Sequence, residues 1–236
     1  MKLILGFELS SENVDINYRT SILSYIKHLL STKYQDDFNE LFNTPTMKSY
    51  TFSVYFPGVI MKDSALIVEE KQMSVSISGL DKALIAKLYN ASLAMKHKSY
   101  PLKDNKMTLK KVRICNAVKN INKINLIKFL CPLIVRKRED NKDTYLTFND
   151  QDFSKYLNIT VDNLITQLGV EINEKNITLT PYRARTTVVK QNDLAFEVSI
   201  GVFVLEGSPE LIEVLYQTGI GSRRGQGYGM FKIIGG

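Results

Sequence analysis

The chain has 236 residues, 44% of them hydrophobic, and a formal net charge of +7 at pH 7, enough length and apolar content for one large domain or two of ordinary size. It contains no long apolar run typical of a membrane span, no segment with the length and cleavage site of a signal peptide, and only two cysteines, Cys115 and Cys131, so neither a disulfide scaffold nor a zinc site is indicated. We therefore expect a cytoplasmic protein.

The first half of the sequence predicts strands and helices in the order strand, helix, strands, helix, strand. Residues 2–9 are apolar and β-prone, and a helix is predicted from about 18 to 30 because Ile22, Ile26 and Leu29 recur at helical spacing, with Asn17 as its cap. Further elements are predicted at 36–42 (a helical turn), 49–56, 65–69 and 73–78 (strands), 79–90 (a helix) and 107–114 (a strand). This βαββαβ order is that of a ferredoxin-like unit.

The second half repeats that order more loosely, after a polar, asparagine-rich linker predicted at 116–125. The elements predicted here are a strand at 129–136, helical material at 149–168 with Thr160 as a cap and Gly169 as a stop, strands at 170–179 and 183–190, a turn at 191–193, an alternating strand from 194, a helix from 209 to about 216 capped by Ser208, and a strand at 230–234. The sequence therefore predicts an α+β fold of two tandem ferredoxin-like, RRM-like domains, residues 1–115 and 126–236.

A glycine-rich loop, residues 219–229, combines five glycines with two adjacent arginines and no acid. Glycines at this density let a backbone approach a ligand closely, successive exposed N–H groups can form a concavity for an anion, and guanidinium groups add paired donors for phosphate. Because the loop follows a predicted helix and precedes a strand, a Rossmann site is not indicated, and without Gly–Lys–Ser/Thr it is not a P-loop. The pattern favours anion binding over a plain glycine-rich turn.

Basic residues occur in runs along the chain. Seven lie between Lys96 and Arg113 against the single acid Asp104, and seven more lie in 119–142 against two acids. Each run alone is typical of a solvated face. Three runs, counting the acid-free C-terminal segment, together favour a nucleic-acid-binding surface.

The glycine-rich loop also fits a longer pattern: Gly–apolar–Gly, five residues that include Lys or Arg, then Gly–apolar–Gly. In this respect the chain resembles the CRISPR-associated RAMP endoribonucleases that cut precursor CRISPR RNA within its repeats, the sixth Cas family. Residues 48–53 look like the family's Lys–x–aromatic–Thr–aromatic–Ser strand, and residues 17–19 lie where the family places a similar segment. The resemblance covers essentially the whole chain.

The resemblance implies a cut that needs no metal or cofactor, in which the repeat's own 2′-hydroxyl attacks the adjacent phosphate and leaves a 2′,3′-cyclic phosphate and a 5′-hydroxyl. It implies His28 as the acid or base, Lys48 as the cation that stabilises developing charge, and Lys27 as an assisting group. It implies RNA contacts from Gly219, Gly221, Arg223, Arg224, Gly225, Gly227, Tyr228 and Gly229, to which the basic segment adds Lys96, His97 and Lys98. The implied partners are repeat RNA and a CRISPR effector complex.

Two alternatives stay open. Many family members carry Leu–His before the Thr–aromatic–Ser strand, whereas residues 41–43 here read Leu–Phe–Asn. The chain could therefore be a non-catalytic, RNA-binding RAMP subunit of an effector complex, with His28 a solvated histidine and Lys48 an ordinary edge-strand lysine. A small-molecule phosphate or nucleotide binder is the other alternative, although a broad positive surface does not favour it.

Overall fold

Strands and amphipathic helices alternate along the computed structural model of the chain, which describes residues 1–44, 46–62, 65–116, 120–191 and 194–236. The chain divides into two units. The first comprises residues 1–46 and 52–117, and the second comprises residues 47–51 and 118–236. A short segment of the N-terminal half is thus counted with the second unit.

In the described part of the first unit, most strands form one five-stranded sheet. The strands are β1 (Lys2–Leu9), β2 (Asn13–Asp15), β3 (Tyr50–Tyr55), β4 (Ile60–Lys62), β5 (Ala65–Ile67), β6 (Gln72–Gly79), β7 (Ser99–Leu102) and β8 (Asn105–Cys115), and the helices are α1 (Tyr18–Ser31), α2 (Gln35–Asn43) and α3 (Lys82–Ala94). The large sheet has the order β3-β6-β1-β8-β7, and β2-β5-β4 form a small second sheet. When the four strands of the βαββαβ unit, β1, β3, β6 and β8, are numbered 1 to 4 along the chain, their order in the sheet is 2-3-1-4.

The core of the first unit follows from the alternation in β1. Leu3, Leu5 and Phe7 are buried on one face of the strand, and α1 packs its apolar stripe on the same side. The Phe7 ring meets the ring of Tyr25 edge-on, with 5.4 Å between centroids. Removing this apolar surface from water, at about 25 cal/mol per Å², holds the helix on the sheet.

The second unit repeats the arrangement. Its described strands are β9 (Ile124–Phe129), β10 (Val135–Glu139), β11 (Lys142–Leu146), β12 (Thr178–Gln191), β13 (Leu194–Glu206) and β14 (Phe231–Gly235), and its helices are α4 (Phe153–Leu168) and α5 (Pro209–Thr218). With β9, β12, β13 and β14 numbered 1 to 4 along the chain, the sheet order β12-β13-β9-β14 is again 2-3-1-4. Strands β10 and β11 form a separate hairpin. The predicted α+β fold with two tandem ferredoxin-like units is confirmed.

The strand predicted at 129–136 is wrong. The strand that opens the second unit is β9, which ends at Phe129, and the chain then turns at Pro132, whose missing N–H cannot continue a ladder. β9 also begins inside the predicted linker 116–125. Residues 117–119 of that linker lie outside the described residues, as do 192 and 193 of the predicted turn, and the domain boundaries remain a prediction.

The cap predicted at Thr160 is wrong, whereas Asn17 is the N-cap residue of α1 as predicted but lacks a capping side-chain bond. Thr160 lies inside α4, where its hydroxyl donates to the Tyr156 carbonyl at 2.8 Å, one turn back. The Asn17 side chain makes no capping hydrogen bond to α1. In contrast, Gly169 ends α4 with φ 63°, and the Ser208 hydroxyl caps α5 by accepting from the Leu211 N–H at 3.4 Å, as predicted.

The strand predicted at 170–179 is also wrong, since β12 begins only at Thr178. The residue before it, Ile177, stays outside the strand. The side chain of Asn158 on α4 accepts from the Ile177 N–H at 2.8 Å and donates to its carbonyl at 3.0 Å. A side chain thus satisfies both backbone groups that a neighbouring strand would otherwise pair.

Candidate functional site

The polar side of α1 carries His28, the candidate acid or base. His28 lies in the last turn of the helix, half-buried against the ring of Tyr100 from β7, with 5.3 Å between ring centroids. The Tyr100 hydroxyl shares a 2.9 Å hydrogen bond with the hydroxyl of Ser24, one turn earlier on α1. The imidazole is therefore supported by an aromatic ring while remaining partly accessible, which suits proton transfer to a bound ligand.

Lys27 precedes His28 but makes a different contact. Its ammonium lies 5.1 Å from the centroid of the Phe42 ring on α2, within the range of cation–π attraction, and both side chains are half-buried. This contact gives Lys27 a packing role between α1 and α2. A catalytic role for Lys27 remains a prediction.

Lys48 belongs to the segment 47–51, which is counted with the second unit and runs beside the glycine-rich loop. The Tyr50 hydroxyl donates to the Gly225 carbonyl at 3.2 Å, and the Thr51 hydroxyl donates to the Tyr228 carbonyl at 2.9 Å. Lys48 itself is half-buried. The candidate lysine and the loop thus form one site in the second unit, whereas Lys27 and His28 belong to the first unit.

Several backbone N–H groups of the glycine-rich loop donate to the protein's own carbonyl groups. Hydrogen bonds of 2.7–3.0 Å join the N–H groups of Ile220, Ser222, Gln226, Gly227 and Gly229 to the carbonyls of Gly229, Ile134, Arg223, Arg224 and Pro132, respectively. Gly219, Gly221, Gly225, Gly227 and Gly229 are all buried. This differs from the predicted row of exposed N–H groups, and these glycines allow close backbone packing: a Cβ on Gly229 would collide with the Ile220 carbonyl.

Arg224 is an interior residue with 5% of its surface exposed. One guanidinium nitrogen, Nη1, donates to the Gly221 carbonyl at 2.7 Å, and Nη2 donates to the Lys48 carbonyl at 3.3 Å. Burial lowers the pKa of the Arg224 guanidinium from its usual value to about 10, so the group is still charged at pH 7. The prediction that Arg224 offers donors to RNA phosphate is not met in this conformation, because its donors face the loop and the 47–51 segment.

Arg223 points the other way, from a backbone with φ 56° that few non-glycine residues adopt. Its guanidinium lies 5.4 Å from the ring centroid of Tyr145 and 5.3 Å from that of Phe196, and it donates to the Tyr145 hydroxyl. The two rings stack on each other with 4.3 Å between centroids. Arg223 is half-buried, and its contact with RNA remains a prediction.

Tyr228, also assigned to RNA contact, is fully buried. It packs with Ile134, Phe196 and Val198 in an apolar cluster. The buried ring has no exposed face on which a base can stack, and an RNA contact of Tyr228 remains a prediction.

Lys96, His97 and Lys98 lie on the turn between α3 and β7, and all three are exposed. His97 has φ 65°, and its N–H donates to the Leu109 carbonyl at 2.8 Å, which fixes the turn on β8. The turn therefore presents these side chains to solvent in a defined geometry. Their contact with RNA remains a prediction.

The second basic run contributes less free positive charge than its sequence suggests. Lys137 pairs with Glu139 and Asp152 at 3.1 and 3.2 Å, and Arg136 pairs with Asp143 at 3.2 Å. These pairs stabilise the β10–β11 hairpin and its packing on α4. In the described parts of the chain, no group of three or more His, Cys, Asp or Glu side chains could hold a metal ion, and no helix there is long and apolar enough to cross a membrane.

The sequence interpretation missed the aromatic partners of the site residues. Nothing in the sequence indicates that Tyr100 packs against His28, or that Tyr145 and Phe196 pack against Arg223. Each lies more than twenty residues from the arginine or histidine it contacts, so no local spacing could have paired them. Only the sheet topology brings β7 to α1 and β11 to the loop.

Comparison with known proteins gives the chain its family. The family model described as CRISPR associated protein Cas6, C-terminal, matches residues 115–233, which is half of the chain. No curated protein matches the sequence.

Solved structures share the fold over nearly the full length. A RAMP protein described as binding different RNA substrates has a TM-score of 0.87 at 21% identity, and a Cas6-related protein of Pyrococcus furiosus has 0.86 at 20%. A Cas6 solved as a product complex has a TM-score of 0.74 at 16% identity. In all three comparisons, 99% of this chain and 99% of the other are covered. The chain belongs to the Cas6 family of CRISPR-associated proteins.

Proposed function

We propose that this protein binds CRISPR repeat RNA and cleaves precursor CRISPR RNA as an endoribonuclease. The observation that carries the proposal is membership of the Cas6 family, supported by a fold shared along the whole chain with Cas6 structures, one of them a product complex. The net charge of +7 and the exposed turn of Lys96, His97 and Lys98 add a surface suited to a polyanion. The proposed setting is the cytoplasm, and the proposed partners are repeat RNA and a CRISPR effector complex.

The proposed chemistry uses the RNA's own 2′-hydroxyl. The 2′-oxygen attacks the adjacent phosphorus while a base takes its proton, and the 5′-oxygen leaves with a proton from an acid, giving a 2′,3′-cyclic phosphate and a 5′-hydroxyl. His28 is proposed for one of the two proton transfers, because an imidazole both accepts and donates near neutral pH. The ammonium of Lys48 is proposed to stabilise the charge that develops on the phosphate oxygens.

A non-catalytic RNA-binding subunit is the second candidate function. The specific observation in its favour is the segment 41–43, which lacks the histidine that many family members carry there. In that case the same surfaces would bind repeat RNA and no phosphodiester bond would be cut.

Incubation of the protein with repeat RNA in EDTA distinguishes the two. A substrate RNA labelled at its 5′ end, and matched to the CRISPR arrays of the source genome, would be followed under single-turnover conditions. Cleavage at one position, with a cyclic phosphate on the upstream fragment and a 5′-hydroxyl on the downstream fragment, supports the enzyme. Binding without cleavage supports the subunit, and the absence of specific binding would refute both.

A further inference from the structure

We propose that Arg224 is a positioning residue that acts through Lys48, and that the glycine-rich loop is a buried support for this lysine. This inference rests on the proposed role of Lys48 in RNA cleavage. It reassigns Arg224 from RNA contact to the architecture of the site.

The first support is the way in which the guanidinium bridges two backbone segments. Arg224 donates to the Gly221 carbonyl within the loop and to the Lys48 carbonyl outside it. The planar guanidinium holds its donors in a fixed fork, so the two bonds set the position of one segment relative to the other. An ammonium has no such fork and would not fix both carbonyls in the same way.

The second support is the fit between Gly225 and the Lys48 side chain. A Cβ built on Gly225 would lie 2.8 Å from Lys48 Cγ, closer than real Cβ atoms approach, and 3.1 Å from Lys48 Cβ, which is a tight contact. The absence of a side chain at position 225 therefore lets the lysine stem lie directly against the loop backbone. The neighbouring hydroxyls of Tyr50 and Thr51 fasten the same segment to the loop carbonyls.

The third support is that a charged side chain is buried here without a carboxylate. The guanidinium of Arg224 donates to two backbone carbonyls, and its Nε has no hydrogen-bond partner among the residues that the structure describes. Burying an unpaired charge is unfavourable for folding. A role in holding Lys48 accounts for an arginine at a site where an apolar residue would pack at less cost.

The test compares two variants with one control in the full-length protein. Arg224→Lys keeps the charge but loses the fork, and Gly225→Ala introduces a methyl group against the Lys48 stem. Gly235→Ala is the control, since its Cβ would meet only Leu126 at ordinary distances of 3.6 Å and more. Circular dichroism and thermal unfolding establish that each variant is folded.

Three readouts separate positioning from RNA contact. We expect Arg224→Lys and Gly225→Ala to slow single-turnover cleavage by about tenfold to a hundredfold, as small displacements of a catalytic group do, while RNA affinity and its salt dependence stay at wild-type values. In the free protein, the acetylation rate of Lys48 relative to the other lysines, measured by peptide mass spectrometry, should rise in both variants. It should be unchanged in Gly235→Ala.

The acetylation readout does not depend on cleavage, so it decides the inference even if the wild-type protein proves to be a non-catalytic subunit. Unchanged Lys48 reactivity in Gly225→Ala and Arg224→Lys would overturn the positioning role. A loss of RNA affinity in Arg224→Lys would likewise overturn it, and would identify the guanidinium of Arg224 as an RNA contact.

Discussion

The phenolic hydroxyl of Tyr50 gives a direct test of how the 47–51 segment stabilises the protein. Tyr50 is fully buried, and its hydroxyl donates to the Gly225 carbonyl at 3.2 Å. Tyr50→Phe removes the donor with little change of volume and leaves that carbonyl without its partner. A buried group deprived of its partner costs about 1–3 kcal/mol, so the free energy of unfolding should fall by that amount.

Tyr25 is a matched control. It is 2% exposed, and its hydroxyl has no hydrogen-bond partner among the described residues. Tyr25→Phe removes a buried polar group that is not compensated, so the free energy of unfolding should stay unchanged or rise. The same chemical change is thus expected to act in opposite directions at the two positions.

The chain has no tryptophan, so urea unfolding is best followed by circular dichroism at neutral pH. The variants are compared by their midpoints at constant m-value. A neutral Tyr50→Phe, or a Tyr25→Phe that destabilises by more than about 1 kcal/mol, would refute the reasoning, because both results would mean that hydrogen bonding does not decide the value of these hydroxyls.

Alkaline pH extends the test. Burial raises the pKa of both hydroxyls above the usual tyrosine value. Above about pH 10 the folded protein therefore keeps these protons while the unfolded chain loses them. The contribution of each hydroxyl to the free energy of unfolding is fully present below about pH 10 and is lost as the pH rises beyond it. Each Tyr→Phe substitution should flatten the fall of the unfolding free energy above about pH 10, by up to about 1.4 kcal/mol per pH unit.

Three further predictions concern RNA cleavage, RNA binding and helix stability. His28→Ala should reduce single-turnover cleavage by about a hundredfold or more with RNA binding retained, whereas His97→Ala, the other histidine, should leave the cleavage step unchanged; equal effects of the two would remove His28 from the mechanism. Arg223→Ala should weaken RNA binding and lower the slope of log affinity against log salt by about 0.7–0.9, as loss of one phosphate contact does; an unaltered slope would count against that contact. Ser208→Ala should lower the unfolding free energy by about 1 kcal/mol in urea titrations, because the Leu211 N–H loses its cap.

Periodicity and local capping chemistry were enough to predict the order of the fold. The apolar alternation of β1, the helical stripe of α1 and the Ser208 cap of α5 are properties of short segments, and the structure has them as predicted. The errors occur where a distant group decides. Ile177, just before β12, stays outside the sheet because the side chain of Asn158, on a helix, satisfies its backbone N–H and carbonyl.

The glycine-rich loop shows the same limit for the site. Its composition indicates a ligand-binding turn, and nothing within residues 219–229 reveals that the 47–51 segment already lies against it. Arg223 and Arg224 are adjacent and chemically identical, yet one contacts the rings of Tyr145 and Phe196 and the other is buried against two carbonyls. Such a difference depends on partners far away in sequence, 78 residues for Tyr145 and Arg223 and 176 for Lys48 and Arg224, which spacing along the chain does not encode.

Because residues 47–51 belong to the second unit, the two units cannot be separated into fragments by a single cut in the chain. A fragment expressed from residue 118 onward would contain the whole C-terminal sheet but not the carbonyl of Lys48 or the hydroxyls of Tyr50 and Thr51. The guanidinium of Arg224 would then have lost one of its two acceptors, and such a truncation should aggregate or unfold readily. Adding a synthetic peptide that spans 47–51, or grafting these residues onto the fragment through a flexible tether, should restore it by complementation.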